Sequence, residues 1–354
     1  MKLTERNQFV DLFGLDLPLV QGPFGGGLST VELVAAVSSR GGLGSFGAHM
    51  LDGDGIMAVA AGIRARTDRA FVLNLWVSDH DPGGDDMSEA TFERAWQFYA
   101  PWFAEYGLER PERPAHYHPR FADQIDALIE ARPAAFSFVF GIPEAAVLDK
   151  CHRAGIATIG AATTLAEVEA LDAAGVTVIL VSGFEAGGHR PSFLARAEDS
   201  LMGTATLARL ARQVTQRPVV AAGGMADAAG IRAVQAAGAD AAQLGTAFLA
   251  CAESGTAQVH RDVLFSARAR TTRLTRSYTG RLARGVPNRL MDEFDRRADR
   301  RPPFPIHAWF VGKLKAAGLA ANIEDFVSLY AGQAAPLLRH RTAGELIDAI
   351  RAEL

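Results

Sequence analysis

One histidine in this sequence has a position that suits a general acid or base. His189 lies in a glycine-rich loop that begins where the apolar segment 176–181 ends. An imidazole has an ordinary pKa near 6.5, so it can accept or donate a proton near neutral pH. A lone histidine is more often structural than catalytic, but the flanking glycines and the position after a strand favour catalysis. Glu185 can orient the imidazole, form a salt bridge with Arg190 or cap a helix, and the sequence leaves these roles open.

Two glycine-containing loops have the composition of an anion-binding site. Gly223 and Gly224 follow one apolar segment, Gly245 and Thr246 follow the next, and each loop leads into a helical pattern. Glycines allow backbone N–H groups to approach an anion closely, and helix N-termini add a favourable dipole. Tight turns alone would also explain the glycines. Because the two loops follow consecutive strands, we expect them to form one phosphate-binding site.

Two other features suit a flat heterocycle. The loop 21–27 contains four glycines, which let backbone atoms lie directly against a planar ring. Asn74 ends the third apolar segment, and its side-chain amide offers both a donor and an acceptor to a ring edge. A single asparagine is a weak signal, so these features indicate a heterocycle-binding site only in combination with the phosphate-binding loops.

The segments that position these loops alternate between strand and helix patterns. Short, nearly continuous apolar runs predict strands buried on both faces of a parallel sheet. They cover residues 18–21, 43–46, 71–75, 135–140, 156–160, 176–181, 218–221 and 241–244. Helical spacing covers residues 30–39, 53–66, 121–132, 144–154, 165–174, 204–216 and 227–237, and we expect an eighth helix after Gly245. Eight such units over about 250 residues predict an α/β fold, a (β/α)8 TIM barrel, with an open doubly wound sheet as the alternative.

Two regions depart from this alternation. Residues 78–119, after the third strand, form an insertion in which 89–103 has the pattern of an amphipathic helix that we expect over the barrel mouth. From residue 255 onward the strand–helix rhythm stops. The predicted domains are therefore a barrel over 1–254 and a smaller, mainly helical C-terminal subdomain over 255–354 that packs near the barrel mouth.

Composition and charge exclude several classes of protein. The 354 residues are 49% hydrophobic and 21% charged, with a formal net charge of −4. This balance gives no general attraction to nucleic acid or to an anionic membrane, and no apolar run is long enough for a membrane helix. Cys151 and Cys251 cannot supply a disulfide framework. Because the polar residues 1–11 also lack the apolar core of a signal peptide, we expect a cytoplasmic protein, with a homodimer as an option.

Three other patterns do not carry a function. Residues 42–47 match the spacing of a dinucleotide-binding fingerprint, but a helix precedes them and the glycines run through a strand. His80, His116 and His118 lie in the polar insertion, where solvated loop residues are a better explanation than a metal site. The arginine-rich span 261–301 is interrupted by acidic residues and lacks a recognition motif. We therefore expect neither a metal nor a nucleic acid as ligand.

Several segments of this chain together match one known family. The most specific is Glu185-Ala186-Gly187-Gly188-His189-Arg190. The others are 14–18, 22–24, 41–44, Asn74, 138–143, 223–224, 245–246, 279–285 and 330–333. With these segments the chain resembles the nitronate monooxygenases, formerly called 2-nitropropane dioxygenases, over most of its length.

The resemblance implies an FMN-dependent TIM barrel enzyme. Such an enzyme oxidises alkyl nitronates, and nitroalkanes where a neutral substrate is accepted, with dioxygen to a carbonyl compound and nitrite. His189 would be the catalytic residue, which positions the nitronate or removes the α-proton of a nitroalkane. The implied cofactor-binding residues are Gly223, Gly224, Gly245 and Thr246 at the phosphate, and Gly22, Pro23, Phe24, Asn74, Ser182, Gly187, Gly188 and Gln243 around the rest of FMN.

Two departures from the family bear on the substrate. Ser182 stands where many members have Gln, so one expected flavin contact is made by a shorter side chain or through a water, and Phe24 replaces the usual Met against the ring. An alternative function on the same barrel is an FMN-dependent NAD(P)H:quinone or enoyl-thioester reductase. A third reading is a catalytically silent flavin-binding protein in which these two substitutions mark a loss of activity.

Overall fold

The strands of this protein form one closed barrel and one small additional sheet. The computed structural model describes residues 7–77, 81 and 88–354. The barrel contains β1 (Leu19–Gln21), β2 (Gly44–Gly47), β3 (Phe71–Trp76), β4 (Ala135–Val139), β5 (Ala157–Ala162) and β6 (Val178–Ser182), then β8 (Val219–Ala222) and β9 (Ala241–Leu244), while β7 (Gly188–His189), β10 (Arg273–Thr275) and β11 (Ala283–Gly285) form the second sheet. All eight predicted barrel strands are thereby confirmed within a few residues.

The barrel strands are all parallel and close into a ring. Their order is β1-β9-β8-β6-β5-β4-β3-β2, and β1 meets β2 through a parallel bridge between Val20 and Leu43. That bridge includes hydrogen bonds from Gln21 N to Leu43 O, 2.9 Å, and from Leu43 N to Leu19 O, 2.8 Å. An open sheet would leave these two edge strands unpaired, so the (β/α)8 barrel is confirmed and the doubly wound alternative is wrong.

The strand residues are buried on both sides, as the continuous apolar runs require. Val20, Val72, Ile159, Leu180 and Val220 pack together in one cluster of buried side chains contributed by five different strands. Because side chains fill the inside of a barrel of this kind, a ligand can enter only at one of its ends. The loops at the carboxyl ends of the strands are therefore the place to look for a site.

The helices confirm the predicted alternation. They are α1 (Gln8–Phe13), α2 (Val31–Ser39), α3 (Gly53–Arg64), α4 (Glu89–Glu105), α5 (Phe121–Ala131), α6 (Ala145–Arg153), α7 (Leu165–Ala173), α8 (Thr204–Val214), α9 (Ala228–Ala236), α10 (Thr246–Leu249), α11 (Gln258–Leu264), α12 (Arg289–Asp295), α13 (Ile306–Ala320) and α14 (Ala343–Glu353). Side chains of Thr30, Asp52, Thr164 and Asp227 accept hydrogen bonds from the first turns of α2, α3, α7 and α9. Such caps fix where each helix begins.

The region after residue 254 contributes to two different parts of the molecule. Helix α14 packs against α2 and α9, and so joins the helical layer around the barrel. Helix α13 packs instead against α4 of the insertion, where Tyr99 stacks on Phe310 at 4.5 Å between ring centroids. The division at residue 254 stays a prediction. Residues 78–80 and 82–87 of the insertion, with His80, lie outside the described residues.

No helix in the described part of the chain is both long and apolar enough to cross a membrane.

Candidate active site

A cavity of about 500 Å³ lies at the carboxyl ends of the barrel strands. It falls within the range of about 300–1,000 Å³ that is typical of small-molecule and cofactor sites. The sequence-predicted site residues all line it, namely Gly22, Pro23, Phe24, Asn74, Ser182, Gly187, Gly188, His189, Gly223, Gly224, Gln243, Gly245 and Thr246. The fold therefore brings together residues from five strand ends that are up to 224 positions apart, between 22 and 246.

One end of the cavity has the backbone shape of an anion cradle. Gly223 and Gly224 have φ angles of +113° and +75°, which side chains rarely permit. A Cβ atom on Gly223 would lie only 2.9 Å from Ala186 N and from Thr204 Oγ1. Thr246 Oγ1 accepts a hydrogen bond from Gly332 N at 2.9 Å, so the hydroxyl still has its own proton to donate. Glycine turns of this kind can present successive backbone N–H groups to one side, as phosphate sites need.

The other predicted ring contacts lie beside this cradle. Gly22 N donates to Leu244 O at 2.9 Å, which keeps the first glycine loop against the end of β9. The Asn74 amide nitrogen donates to Ser137 O at 3.1 Å and to Ser137 Oγ at 3.0 Å. Sequence reasoning expected Asn74 to offer both a donor and an acceptor, but Ser137 uses the donor. The contact that Asn74 keeps for a ligand is its Oδ1 atom.

His189 is held by a strand pairing that the sequence did not predict. Its two-residue strand β7 pairs antiparallel with β11, where His189 faces Ala283. The imidazole Nε2 lies 2.7 Å from Thr279 Oγ1, and the ring meets Trp76 edge to face at 5.0 Å. Both contacts fix the ring at the cavity wall. Because Thr279 belongs to the region after residue 254, the orientation of the ring depends on that region.

The environment of His189 keeps its imidazole neutral. Burial lowers its pKa from 6.5 to about 3, and the positive charge of Arg281 lowers the pKa in the same direction. Arg281 is itself ion-paired with Asp81 and lies over the Phe140 ring at 3.6 Å. At ordinary pH the residue can therefore accept a proton or a hydrogen bond, but it is a weak base.

Glu185 does not orient His189. Its carboxylate accepts hydrogen bonds from Thr204 N at 3.1 and 3.2 Å and from Thr204 Oγ1 at 2.9 Å, at the start of α8. Arg190 donates instead to backbone oxygens, at 2.9 Å to Ser182 O and 2.6 Å to Gly183 O. The helix-capping role is confirmed, and the two other readings of Glu185 are wrong. Arg190 ties the end of β6 to the loop that carries His189.

The described residues contain no cluster of three or more His, Cys, Asp or Glu side chains with the arrangement of a metal site. His116 is exposed and His118 lines the cavity.

Known proteins with similar sequences and structures match this chain almost from end to end. A family model described as nitronate monooxygenase matches residues 6–353. The nitronate monooxygenase of Pseudomonas aeruginosa is 40% identical over 359 residues, covering 99% of each chain. That of Paraburkholderia phytofirmans is 39% identical over 357 residues, covering 99% of this chain and 96% of the relative. The chain belongs to the nitronate monooxygenase family.

A solved structure agrees with this assignment. Nitroalkane oxidase from Streptomyces ansochromogenes is 35% identical in sequence and superposes with a TM-score of 0.88, covering 98% of this chain and 97% of its own. As a member of the nitronate monooxygenase family, the protein is an enzyme of the oxidoreductase class.

Sequence reasoning missed part of the cavity wall of this nitronate monooxygenase family member. His49, Trp76, Thr279, Phe304 and Tyr330 line the cavity but were not proposed as site residues. Trp76 had a usable signal, because it lies two positions after Asn74 on the same strand and so on the same face. Thr279, Phe304 and Tyr330 had no such signal, because they belong to the C-terminal region and follow none of the predicted barrel strands.

Proposed function

We propose that this enzyme oxidises alkyl nitronates with dioxygen to a carbonyl compound and nitrite, with FMN as cofactor. The observation that carries the proposal is the convergence of His189 and both phosphate-type loops on one cavity. Membership of the nitronate monooxygenase family and the likeness to a nitroalkane oxidase support the same chemistry. A homodimer and a cytoplasmic location stay predictions.

The shape of the cavity suits FMN. Gly223, Gly224, Gly245 and Thr246 would hold the phosphate, because both loops line the cavity and Gly223 and Gly224 have the positive φ angles of a glycine turn. The rest of the cofactor would contact Gly22, Pro23, Phe24, Asn74, Ser182, Gly187, Gly188 and Gln243. When bound, FMN supplies the acceptor for electrons from the nitronate and passes them to dioxygen.

The protein's own contribution is to bind and orient the substrate. His189 would donate or accept a hydrogen bond at the nitro group and, for a neutral nitroalkane, take up the α-proton. Because burial holds the pKa of His189 near 3, proton removal is a demanding task for this imidazole. A preformed nitronate needs no such step, so we propose nitronates rather than nitroalkanes as the better substrates.

The aromatic and apolar side chains around His189 would exclude water from the reacting atoms. Trp76, Phe140 and Phe304 are each less than a tenth exposed and pack in one cluster beside the imidazole. A dry surrounding strengthens hydrogen bonds to an anionic substrate. This enclosure supports a reaction in which a charged nitronate is held rather than freely hydrated.

A visible spectrum of the purified protein tests the cofactor, and an oxygen electrode tests the reaction. We expect a yellow protein that releases FMN on denaturation and consumes oxygen with ethyl nitronate while nitrite accumulates. A protein that binds no flavin, or that binds FMN without oxygen uptake on any nitronate, would contradict the proposal. The second outcome would favour the silent flavin-binding protein.

A further inference from the structure

A second imidazole lies in the wall of the same cavity. His49 follows β2, is 6% exposed and lines the cavity together with His189. Its ring stacks on Trp76 with 3.9 Å between centroids and 11° between planes. His189 meets the same tryptophan edge to face at 5.0 Å. The two imidazoles are thus both positioned by Trp76.

The first glycine loop folds directly onto the His49 ring. A Cβ atom on Gly25 would lie 1.8 Å from the His49 Cε1 atom and 2.6 Å from its Nε2 atom. Only glycine permits this approach, because no side chain at position 25 fits without moving the ring. His49 therefore contacts both the first glycine loop and Trp76, the residue that His189 also contacts.

One nitrogen of the His49 ring forms no hydrogen bond with the described residues. His49 Nδ1 is buried and has no hydrogen-bond partner in residues 7–77, 81 and 88–354. A buried polar atom without a partner is unfavourable, so native structures rarely keep one without a ligand or a role. Burial also lowers the pKa of His49 well below 6.5, and His118, His189 and Arg281 lower it further. The imidazole is neutral and keeps one N–H group to donate.

We propose that His49 binds the substrate by donating a ring N–H hydrogen bond to an oxygen of the nitronate group. This inference rests on the proposed function, since it takes the nitronate as the ligand of the cavity. A nitronate carries its negative charge on two oxygens, which accept hydrogen bonds and donate none. Two neutral imidazoles fixed by one tryptophan suit such a ligand, since each can supply one donor.

The charges around the ring agree with an anionic ligand. Arg281 is the cation that influences both histidines, and Asp81 neutralises it in an ion pair with side chains only 11% and 15% exposed. His118 stacks parallel to His49 with 5.8 Å between centroids. Among the described residues, the groups that shift the His49 pKa include no carboxylate. An anion bound beside His49 would therefore meet ring N–H donors there.

Calorimetric titration of the wild-type and variant holoproteins with nitrate measures the affinity for a planar anion that has the O–N–O group of a nitronate. This affinity tests the proposal. His49→Phe keeps a ring that can stack on Trp76 but removes both nitrogens. We expect its nitrate affinity to fall about 10-fold or more, with a similar loss in kcat/KM for ethyl nitronate, because a hydrogen bond to a charged group is lost. His49→Asn keeps an amide N–H near the Nδ1 position and should regain part of the affinity.

The controls separate binding of the substrate from folding and cofactor binding. His116→Phe changes an exposed histidine of the insertion and should leave nitrate affinity and FMN content unchanged. His49→Phe with wild-type nitrate affinity would overturn the proposal, and so would a parallel loss of FMN. Wild-type protein without activity on any nitronate would instead count against the proposed function, while the nitrate titrations would still test His49.

A crystal structure of the wild-type holoenzyme soaked in nitrate gives a test that needs no variant. A nitrate oxygen within hydrogen-bond distance of a His49 ring nitrogen would support the proposal. Nitrate bound at His189 without contact to His49 would overturn it.

Discussion

The Nε2 atom of His189 lies 2.7 Å from the Oγ1 atom of Thr279, although 90 residues separate them in the chain. The same hydroxyl oxygen accepts a hydrogen bond from Arg281 N at 3.3 Å. The hydroxyl can donate its proton to Nε2, which leaves an N–H group on Nδ1, or accept from a protonated Nε2, which leaves the Nδ1 lone pair free to take up a proton. The C-terminal region thus sets the orientation of the histidine that the barrel supplies.

Replacing Thr279 should impair substrate turnover more than cofactor binding. Thr279→Val keeps the shape of the side chain and removes the hydroxyl that fixes His189. We expect kcat/KM for ethyl nitronate to fall about 5- to 100-fold, the range for loss of one buried hydrogen bond. FMN content should not change. Thr279→Ser keeps the hydroxyl and should stay close to wild type, and equal losses in the two variants would show that the hydroxyl is unimportant.

Replacing His189 should affect neutral and ionised substrates differently. His189→Asn keeps a hydrogen-bonding group but cannot remove a proton. General-base catalysis contributes about 10²- to 10⁴-fold and is strongest when the pKa of the base is near the working pH, so with a pKa near 3 we expect activity on nitroethane to fall by roughly 10²-fold more than activity on ethyl nitronate. Steady-state oxygen uptake with each substrate measures the difference. Equal losses on both substrates would refute a role for His189 as base and leave only a binding role.

Replacing Gly223 should weaken the binding of FMN. In Gly223→Ala the new Cβ would approach Ala186 N and Thr204 Oγ1 to 2.9 Å and disturb the anion cradle. We expect FMN affinity to fall at least about 10-fold. Gly175→Ala is the matched control, because Gly175 also has a positive φ, +79°, but nothing lies within 4 Å of an added Cβ. Fluorescence titration of the two apoproteins with FMN measures the affinities, and equal affinity would contradict the cradle.

The buried His307 should make the protein less stable in mild acid. Burial lowers the pKa of His307 to about 3, and the ring Nε2 atom donates a hydrogen bond to Ser277 O at 2.8 Å. Between about pH 6.5 and about pH 3, His307 binds a proton in the unfolded chain but stays neutral in the folded protein. The free energy of unfolding therefore falls as pH falls. From about pH 7.5 to about pH 5 we expect a loss of about 2 kcal/mol from this residue alone.

Urea unfolding of wild type and His307→Gln at the two pH values measures that contribution. The variant should be less stable near neutral pH, because it loses buried contacts, but its stability should depend less on pH. His116→Gln, at an exposed position, should keep the wild-type dependence. If His307→Gln and wild type lost the same free energy of unfolding on acidification, the pKa of His307 would not be lowered by folding.

The barrel and the loops that form the cavity could be predicted because they depend on local patterns. Continuous apolar runs marked strands such as β3, and paired glycines marked the cradle at Gly223. The rule that parallel strands present their carboxyl ends at one edge then brought the loops together. None of these steps needed knowledge of a contact between distant side chains.

The remaining features depend on such contacts and could not be predicted. The pairing of β7 with β11 involves two residues of a glycine-rich loop, too short for any periodic signal. Glu185 caps a helix because Thr204 lies within reach of its carboxylate. The Asn74 amide nitrogen is occupied because Ser137 on the neighbouring strand accepts its hydrogen bond. Trp76 is the exception, because strand alternation after Asn74 would have placed it in the site.

Anaerobic mixing of the purified holoprotein with ethyl nitronate shows whether the nitronate itself reduces the bound flavin. We expect the visible flavin absorbance to fall rapidly with the nitronate and to recover when oxygen is admitted. NADPH under the same conditions should cause a slower change or none. Rapid bleaching by NADPH with no response to the nitronate would contradict the account and assign the cavity to a reductase.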